Sequence, residues 1–348
     1  MRNYSAISKR NAQIEGLRGI SILVVVSYHV FDRYQQIYCN TSIKLMDMWG
    51  SIGVTIFLMI SGLFLVSEEN PRKVYPKSCF FTPMKLFFWK VVRLWPTYLV
   101  CVLITYTATR FWELPERTVG LKELIANLFL INRFLNLAYV DGAHWYLGVL
   151  LSVSLVTTLF SCFEIENNPL SYFVWVLLEL FVDVFFPTRN MYPIGGPFVG
   201  CVCIGIAIKQ INKLDQNKCA WMLLCLCSLA TTYLSRGTSY TIELICVAPI
   251  VWFAYIKKNK ILEFKPLMFL GMISYPLYLI HQNIAFMIQN FLVETTGKYS
   301  FAWGIIAMGI VFAIGTILYY GIEKPVQKQI KMSFLRHQPT KTNSSLSH

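Results

Sequence analysis

Ten runs of apolar residues, each close to the length of a bilayer crossing, divide the chain at about 15–33, 47–66, 91–109, 144–162, 170–186, 193–210, 219–235, 240–256, 267–292 and 300–322. The pattern predicts an all-α integral membrane protein with about ten transmembrane helices. The segment Leu121 to Val140 is half-apolar and reads as an interfacial or re-entrant helix. An even number of crossings puts both termini on one side. Three parts follow: an N-terminal segment over 1–14, a ten-helix membrane domain over 15–325, and a polar tail over 326–348 whose end from Gln338 to His348 is expected to be disordered.

Composition agrees with that division. Of 348 residues, 55% are hydrophobic and 14% charged, with a mean hydropathy of +0.51, whereas a soluble domain carries about 25% charge. A soluble globule, a disordered chain, a collagen and a disulfide scaffold are all excluded. The formal charge of +13 would suggest a nucleic-acid partner in a soluble protein. In a membrane protein it is the expected excess of cytoplasmic Lys and Arg, and no nucleic acid is implied. Alternate loops sort the 31 Lys and Arg into 22 on the side of the N-terminus and 9 on the other, so both termini are predicted cytoplasmic. The first apolar run follows Arg18 without a small-residue cleavage pattern and is expected to stay as the first membrane helix. The ten cysteines lie mostly inside apolar runs without a C-x-x-C pair and read as packing thiols.

Titratable groups at bilayer depth are costly, so each one inside a span needs a reason. Arg18 and His29 are eleven residues apart, which returns to the same helix face after three turns and separates them by about 16 Å. Glu15, three residues before Arg18, can pair with it and orient the guanidinium. Gly53, Phe57 and Ser61 share one face of the second span, suited to close helix contact. Lys90 and Arg93 share a face at the cytoplasmic interface and could clamp phosphates. His144, Trp145 and Tyr146 open the fourth span at the outer face. Ser274, Tyr278 and His281 fall at i, i+4 and i+7 of the ninth span, with Tyr275 beside them, and form a hydroxyl- and imidazole-bearing face suited to a polar interior. Glu179, Asp183 and Glu243 are further intramembrane acids.

No G-x-S-x-G, Walker loop, H-E-x-x-H or zinc-ligand cluster occurs, so hydrolase, nucleotide-hydrolysing and metalloenzyme readings lack support. A membrane transferase and a proton-coupled transporter running through His29, Glu179, Asp183 and His281 both remain open. A passive structural role is disfavoured by the buried ionisable groups.

The motifs, taken in order, resemble the acyltransferase-3 family of integral membrane acyltransferases, in the bacterial and phage branch that O-acetylates lipopolysaccharide O-antigen and related surface sugars. Glu15-Gly16-Leu17-Arg18-Gly19 through Tyr28-His29 resembles that family's opening D-G-L-R-G with Arg-x10-His. Gly53 to Gly62 resembles its G-V-x-x-F-F-x-x-S-G segment, and Arg93-Leu94-Trp95-Pro96-Thr97-Tyr98 its R-I-x-P-x-Y. Trp145-Tyr146-Leu147, Gly271 to His281 and Glu323-Lys324-Pro325 follow in family order. Glu15 stands in place of the usual Asp. The acidic position that many members carry shortly after the Trp is missing from Gly148-Val149-Leu150-Leu151, which fits the shorter branch without a fused periplasmic domain.

The resemblance implies transfer of acetyl from acetyl-CoA, used as a substrate with no bound cofactor and no metal, to a hydroxyl of a lipid-linked or nascent glycan. The expected site is the bacterial inner membrane, with membrane lipids as the other partner. His29 would be the general base and Arg18 would orient the donor or oppose developing negative charge. Lys90 and Arg93 would meet the CoA phosphates. Ser61, His144, Trp145, Tyr146, Ser274, Tyr275, Tyr278 and His281 would line the acceptor side or the cavity. Glu15 and Glu323 belong to the motifs.

Overall fold

The computed structural model describes residues 11–41, 43, 46, 48–66, 81–112, 114–186, 194–213 and 217–336. Among them there is no β-strand. Several basic residues used to assign sidedness (Arg2, Lys9, Arg10, Lys44, Arg72, Lys73, Lys77, Arg189 and Lys341) and the tail from Gln338 lie outside the described residues.

The first helix, α1 (Ala12–Ser27), runs through a π-helical turn at Tyr28–Arg33 into Tyr34–Tyr38. It is followed by α2 (Trp49–Leu65), α3 (Phe81–Phe111), the short α4 (Leu121–Leu128) and α5 (Trp145–Cys162). Next come α6 (Pro169–Phe185), α7 (Val199–Asn212), α8 (Lys218–Arg236) and α9 (Thr238–Tyr255). The chain closes with α10 (Lys265–Thr296), α11 (Phe301–Leu318), a second π turn at Tyr319–Glu323, and α12 (Lys324–Arg336).

Ten helices coincide with the ten apolar runs, and α4 falls in the half-apolar segment. Among the described residues six segments are long and apolar enough to cross a membrane, and Trp49–Leu65 and Gly196–Asn212 are shorter apolar helices. The protein is a multi-pass membrane protein. At 31 and 32 residues, α3 and α10 are about 46 to 48 Å long at 1.5 Å per residue, longer than the roughly 30 Å hydrocarbon core.

Helix polarity explains the layering. α10 carries Ser274, His281, Gln282, Asn283 and Gln289 and keeps all five buried, so it occupies the centre, where those groups are kept from lipid. α1 packs along it, with α11 and α3 on its other sides and α2 and α7 beyond α1. Leu177 and Phe181 on α6, Leu223 and Leu226 on α8, and Ile305 and Ile317 on α11 are exposed. In water such a surface would be an aggregation liability; here it is the face offered to lipid.

The crossings rest on glycine. A Cβ on Gly271 would overlap the backbone of Glu15, and one on Gly19 the backbone of Leu267, so α1 and α10 approach backbone to backbone. Gly53 meets Ser21 and Val25 of α1, and Gly62 and Gly205 bring α2 onto α7 in the same way.

Both described ends of the chain leave the bundle on one side. Asn11 donates to the carbonyls of Ala254 and Tyr255 at 3.2 Å, and Gln13 Nε2 donates to Glu263 at 2.8 Å. α12 packs on α3, whose Leu94 carbonyl accepts from Tyr275 OH at 2.8 Å.

Candidate active site

The close approach of α1 and α10 sets the first polar cluster. Arg18 Nη2 donates to Ser274 Oγ at 2.8 Å, and Nη1 pairs with Glu15 at 3.3 Å. Ser274 in turn donates to the Gly271 carbonyl at 2.8 Å, at the glycine that permits the crossing. The guanidinium is therefore held by both helices, and its side chain keeps 29% of its surface accessible. A planar fork can hold two partners and still present donors to a ligand.

Further along the same helices the two imidazoles meet. The rings of His29 and His281 are 4.9 Å apart, nearly edge to face. His29 lies at the start of the π turn, where an extra residue is inserted into the helix, a feature frequent at functional sites. His281 is fully buried, and its Nδ1 sits 2.8 Å from the Tyr278 carbonyl. Tyr278 continues the cluster: its ring is 5.6 Å from His281 and 5.2 Å from Tyr146, and its hydroxyl donates to the Ala143 carbonyl at 2.9 Å. Ser61 lies beside Tyr146 and its hydroxyl donates to the Phe57 carbonyl at 2.8 Å, and Phe57, one turn before it, lies against both tyrosine rings. The predicted Gly53, Phe57, Ser61 face thus does two things, closing on α1 and presenting Phe57 and Ser61 to the site. Arg18, His29, Ser61 and Tyr146 are only half-buried amid fully buried neighbours such as Val26, Leu58 and Leu277, so part of each side chain stays accessible.

Other expected residues sit differently. His144 is fully buried, with Nε2 2.9 Å from the Leu279 carbonyl. Leu279 is fourteen residues into α10, about 21 Å from its start, so α5 begins deep in the bundle rather than at the outer face. The reason is the preceding segment, which enters the bundle: Tyr98 OH donates to the Asn127 carbonyl at 2.7 Å, and Asn283 Nδ2 to the Val140 carbonyl at 2.8 Å. The re-entrant reading of 121–140 accounts for it. Trp145 stacks on Phe198 at 5.0 Å. Tyr275 is tied to Leu94 as above, and Glu323 is buried and accepts from Gln327 at 2.7 Å. Lys90 Nζ donates to Ser154 on α5 at 2.6 Å, while Arg93 is exposed, so only Arg93 of that pair presents its side chain outward. Glu179 and Asp183 line a separate cavity with Gly196, Thr231, Thr232 and Ser235, and Glu243 accepts from Ser51 at 2.7 Å.

Two residues are not among the expected ones, Asp141 and Arg117. Asp141, fully buried, accepts from Ala143 N at 2.9 Å and from Asn283 N at 3.0 Å, pinning the start of α5 to α10. An Asp immediately before a helical turn, here Gly142–His144, is an N-cap signal, so this one is readable. Arg117 reaches the Phe286 ring at 5.6 Å and, with Gln282, crowds the space over Gly142; nothing in its local sequence marks it. The cations whose charge acts on His29 are Arg33 and Arg117, whereas Arg18 acts on Tyr146. Of the two roles expected for Arg18, orienting a ligand fits this placement better than opposing charge beside His29. Among the described residues no three His, Cys, Asp or Glu gather as a metal site.

The assembly therefore brings an imidazole, a doubly held guanidinium and ring hydroxyls together within a membrane bundle. No curated protein and no solved structure matches the chain. A family model described as an acyltransferase domain, acyltransferase-3, matches residues 11–321, a stretch that contains Arg18, both site histidines and Tyr278 and stops two residues short of Glu323. The chain belongs to the acyltransferase-3 family and is a membrane acyltransferase.

Proposed function

We propose that the protein moves an acetyl group from acetyl-CoA, across or within the bacterial inner membrane, to a hydroxyl of a lipopolysaccharide O-antigen or related surface glycan. The observation that carries this reading is His29: a half-buried imidazole against His281 whose Nδ1 is buried, leaving the Nε2 edge as the accessible one. A sugar hydroxyl is a poor nucleophile at neutral pH and needs a base within hydrogen-bond reach.

On this reading His29 Nε2 accepts the hydroxyl proton as the sugar oxygen bonds to the thioester carbonyl carbon. The tetrahedral intermediate then loses its C–S bond, and the departing CoA sulfur takes the proton from His29. One ester and one CoA thiol form, and the imidazole returns to its starting state. Arg18, fixed by Glu15 and Ser274, orients the donor. Arg93, exposed near the first half of α3, meets a CoA phosphate, and Lys90 adds positive charge one turn away. The ring edges of Tyr146 and Tyr278 and the hydroxyl of Ser61 suit a sugar face. The transporter alternative loses support because Glu179 and Asp183 line a cavity of their own and the family is one of acyltransferases.

Mass spectrometry of surface glycans from cells with and without the gene tests the reading. Glycans gaining the mass of an acetyl group with the wild-type gene, and not with His29→Ala at equal abundance, are expected. Glycans of the same mass in all strains overturn it.

A further inference from the structure

We infer that His281 is the positioning residue of His29: its Nε2 lone pair accepts a hydrogen bond from His29 Nδ1–H, fixing the tautomer in which His29 Nε2 is the base. The inference rests on the proposed role of His29 and assigns what holds that base in its working state.

The argument is an accounting of four ring nitrogens. His281 Nδ1 lies 2.8 Å from the Tyr278 carbonyl oxygen. A carbonyl oxygen only accepts, so in the neutral ring Nδ1 carries the proton and Nε2 carries the lone pair. That Nε2 is buried and has no hydrogen-bond partner among the described residues. His29 Nδ1 is likewise buried and without one. The two rings are 4.9 Å apart with a 62° interplanar angle. The two orphaned nitrogens sit on rings in contact and are not bonded to each other in this geometry; that they meet in the working state is the inference. If His29 Nδ1 carries its proton, both orphans are resolved by one contact, and the lone pair of His29 is left on the accessible Nε2 edge. The opposite tautomer would leave two buried lone pairs facing each other and a donor where the base is needed.

No carboxylate is hydrogen-bonded to either of these ring nitrogens. Asp141 faces His281, but its two oxygens accept from Ala143 N and Asn283 N. Asp32, three residues after His29, accepts from Ile43 N at 2.6 Å and from Gln36 Nε2 at 2.7 Å. Arg33 and Arg117 also face His29 and have no acceptor to offer. In a serine-protease triad the orienting group is an Asp that fixes the imidazole tautomer; here a neutral imidazole, itself fixed by a backbone carbonyl, supplies the acceptor. No proton passes between the rings, so the proton taken from the hydroxyl stays on His29 Nε2 until the sulfur removes it.

The test uses the full-length protein, labelled with ¹⁵N-histidine in lipid, with the His29 signals assigned by their loss in His29→Ala. Wild-type His29 is expected in the Nδ1–H tautomer, and His281→Phe to abolish that preference while lowering kcat about 10- to 100-fold at unchanged donor KM, the usual cost of losing an orienting partner. His281→Gln, whose Oε1 can stand where Nε2 was, should retain kcat within about threefold of wild type. A wild-type His29 in the Nε2–H tautomer overturns the inference, as does a His281→Phe protein of normal abundance with wild-type kcat, or a His281→Gln protein as slow as His281→Phe. Failure of the underlying reading is separate: it would show as full activity in His29→Ala, whatever the tautomer.

Discussion

Ser274→Ala removes one hydroxyl from the α1–α10 crossing and leaves Arg18 held only by Glu15. The bond it breaks is charge-assisted and short, 2.8 Å from Nη2 to Oγ, and such bonds contribute about 1.5 to 3 kcal/mol. Because the Arg18 side chain keeps 29% of its surface accessible, the lower end applies, and about 1.5 kcal/mol corresponds to roughly tenfold in kcat/KM. The size alone does not identify the cause, since Ser274 also donates to Gly271. A double-mutant cycle separates the two. In an Arg18→Met background the guanidinium is gone, so Ser274→Ala should then change kcat/KM by less than about twofold. Arg18→Lys should not restore the wild-type rate, because one ammonium cannot reproduce a fork held by Ser274 and Glu15 together. The assay is acetyl transfer by purified protein in lipid at varied acetyl-CoA. A Ser274→Ala loss of equal size in both backgrounds would refute the orienting role of the Arg18–Ser274 bond.

Arg93→Ala should raise the apparent KM for acetyl-CoA with kcat nearly unchanged, because a phosphate contact made equally in ground and transition states contributes uniform binding; an unchanged KM rejects the contact. Gly271→Ala places a methyl group against the Glu15 backbone and should destabilise the protein by at least about 1 to 3 kcal/mol, seen as a lower Tm in detergent, whereas an unaltered Tm contradicts the backbone-to-backbone crossing. Cysteines introduced at either terminus should resist an impermeant thiol reagent in intact cells, as expected of the side rich in Lys and Arg; labelling there would reverse the assigned orientation.

Much of the fold is legible because hydropathy is local: the ten apolar runs each became a helix, and the Arg18–His29 stripe and the Ser274, Tyr278, His281 face depend only on helix rotation. What meets what is not local. Arg18 finds Ser274 across 256 positions, and the register of that meeting is set by Gly19 and Gly271, whose role shows only when both helices are placed. His144 could be assigned to the start of a helix but not to its depth, because the depth is fixed by Tyr98, Asn127, Val140 and Asn283 drawing the preceding segment inward. Lys90 looked like a cytoplasmic clamp because nothing in its own helix reveals Ser154 opposite. The π turn beginning at Tyr28 carries no sequence signal, although it holds His29, the proposed base.

The most direct test is turnover by purified His29→Ala protein in lipid, with acetyl-CoA and a glycan acceptor, alongside wild type and with abundance and Tm measured on the same samples. The account predicts a folded, lipid-inserted protein whose rate falls on the order of 10² to 10⁴, the range for losing a general base. A His29→Ala protein of wild-type abundance and Tm that still acetylates the acceptor at the wild-type rate would contradict it.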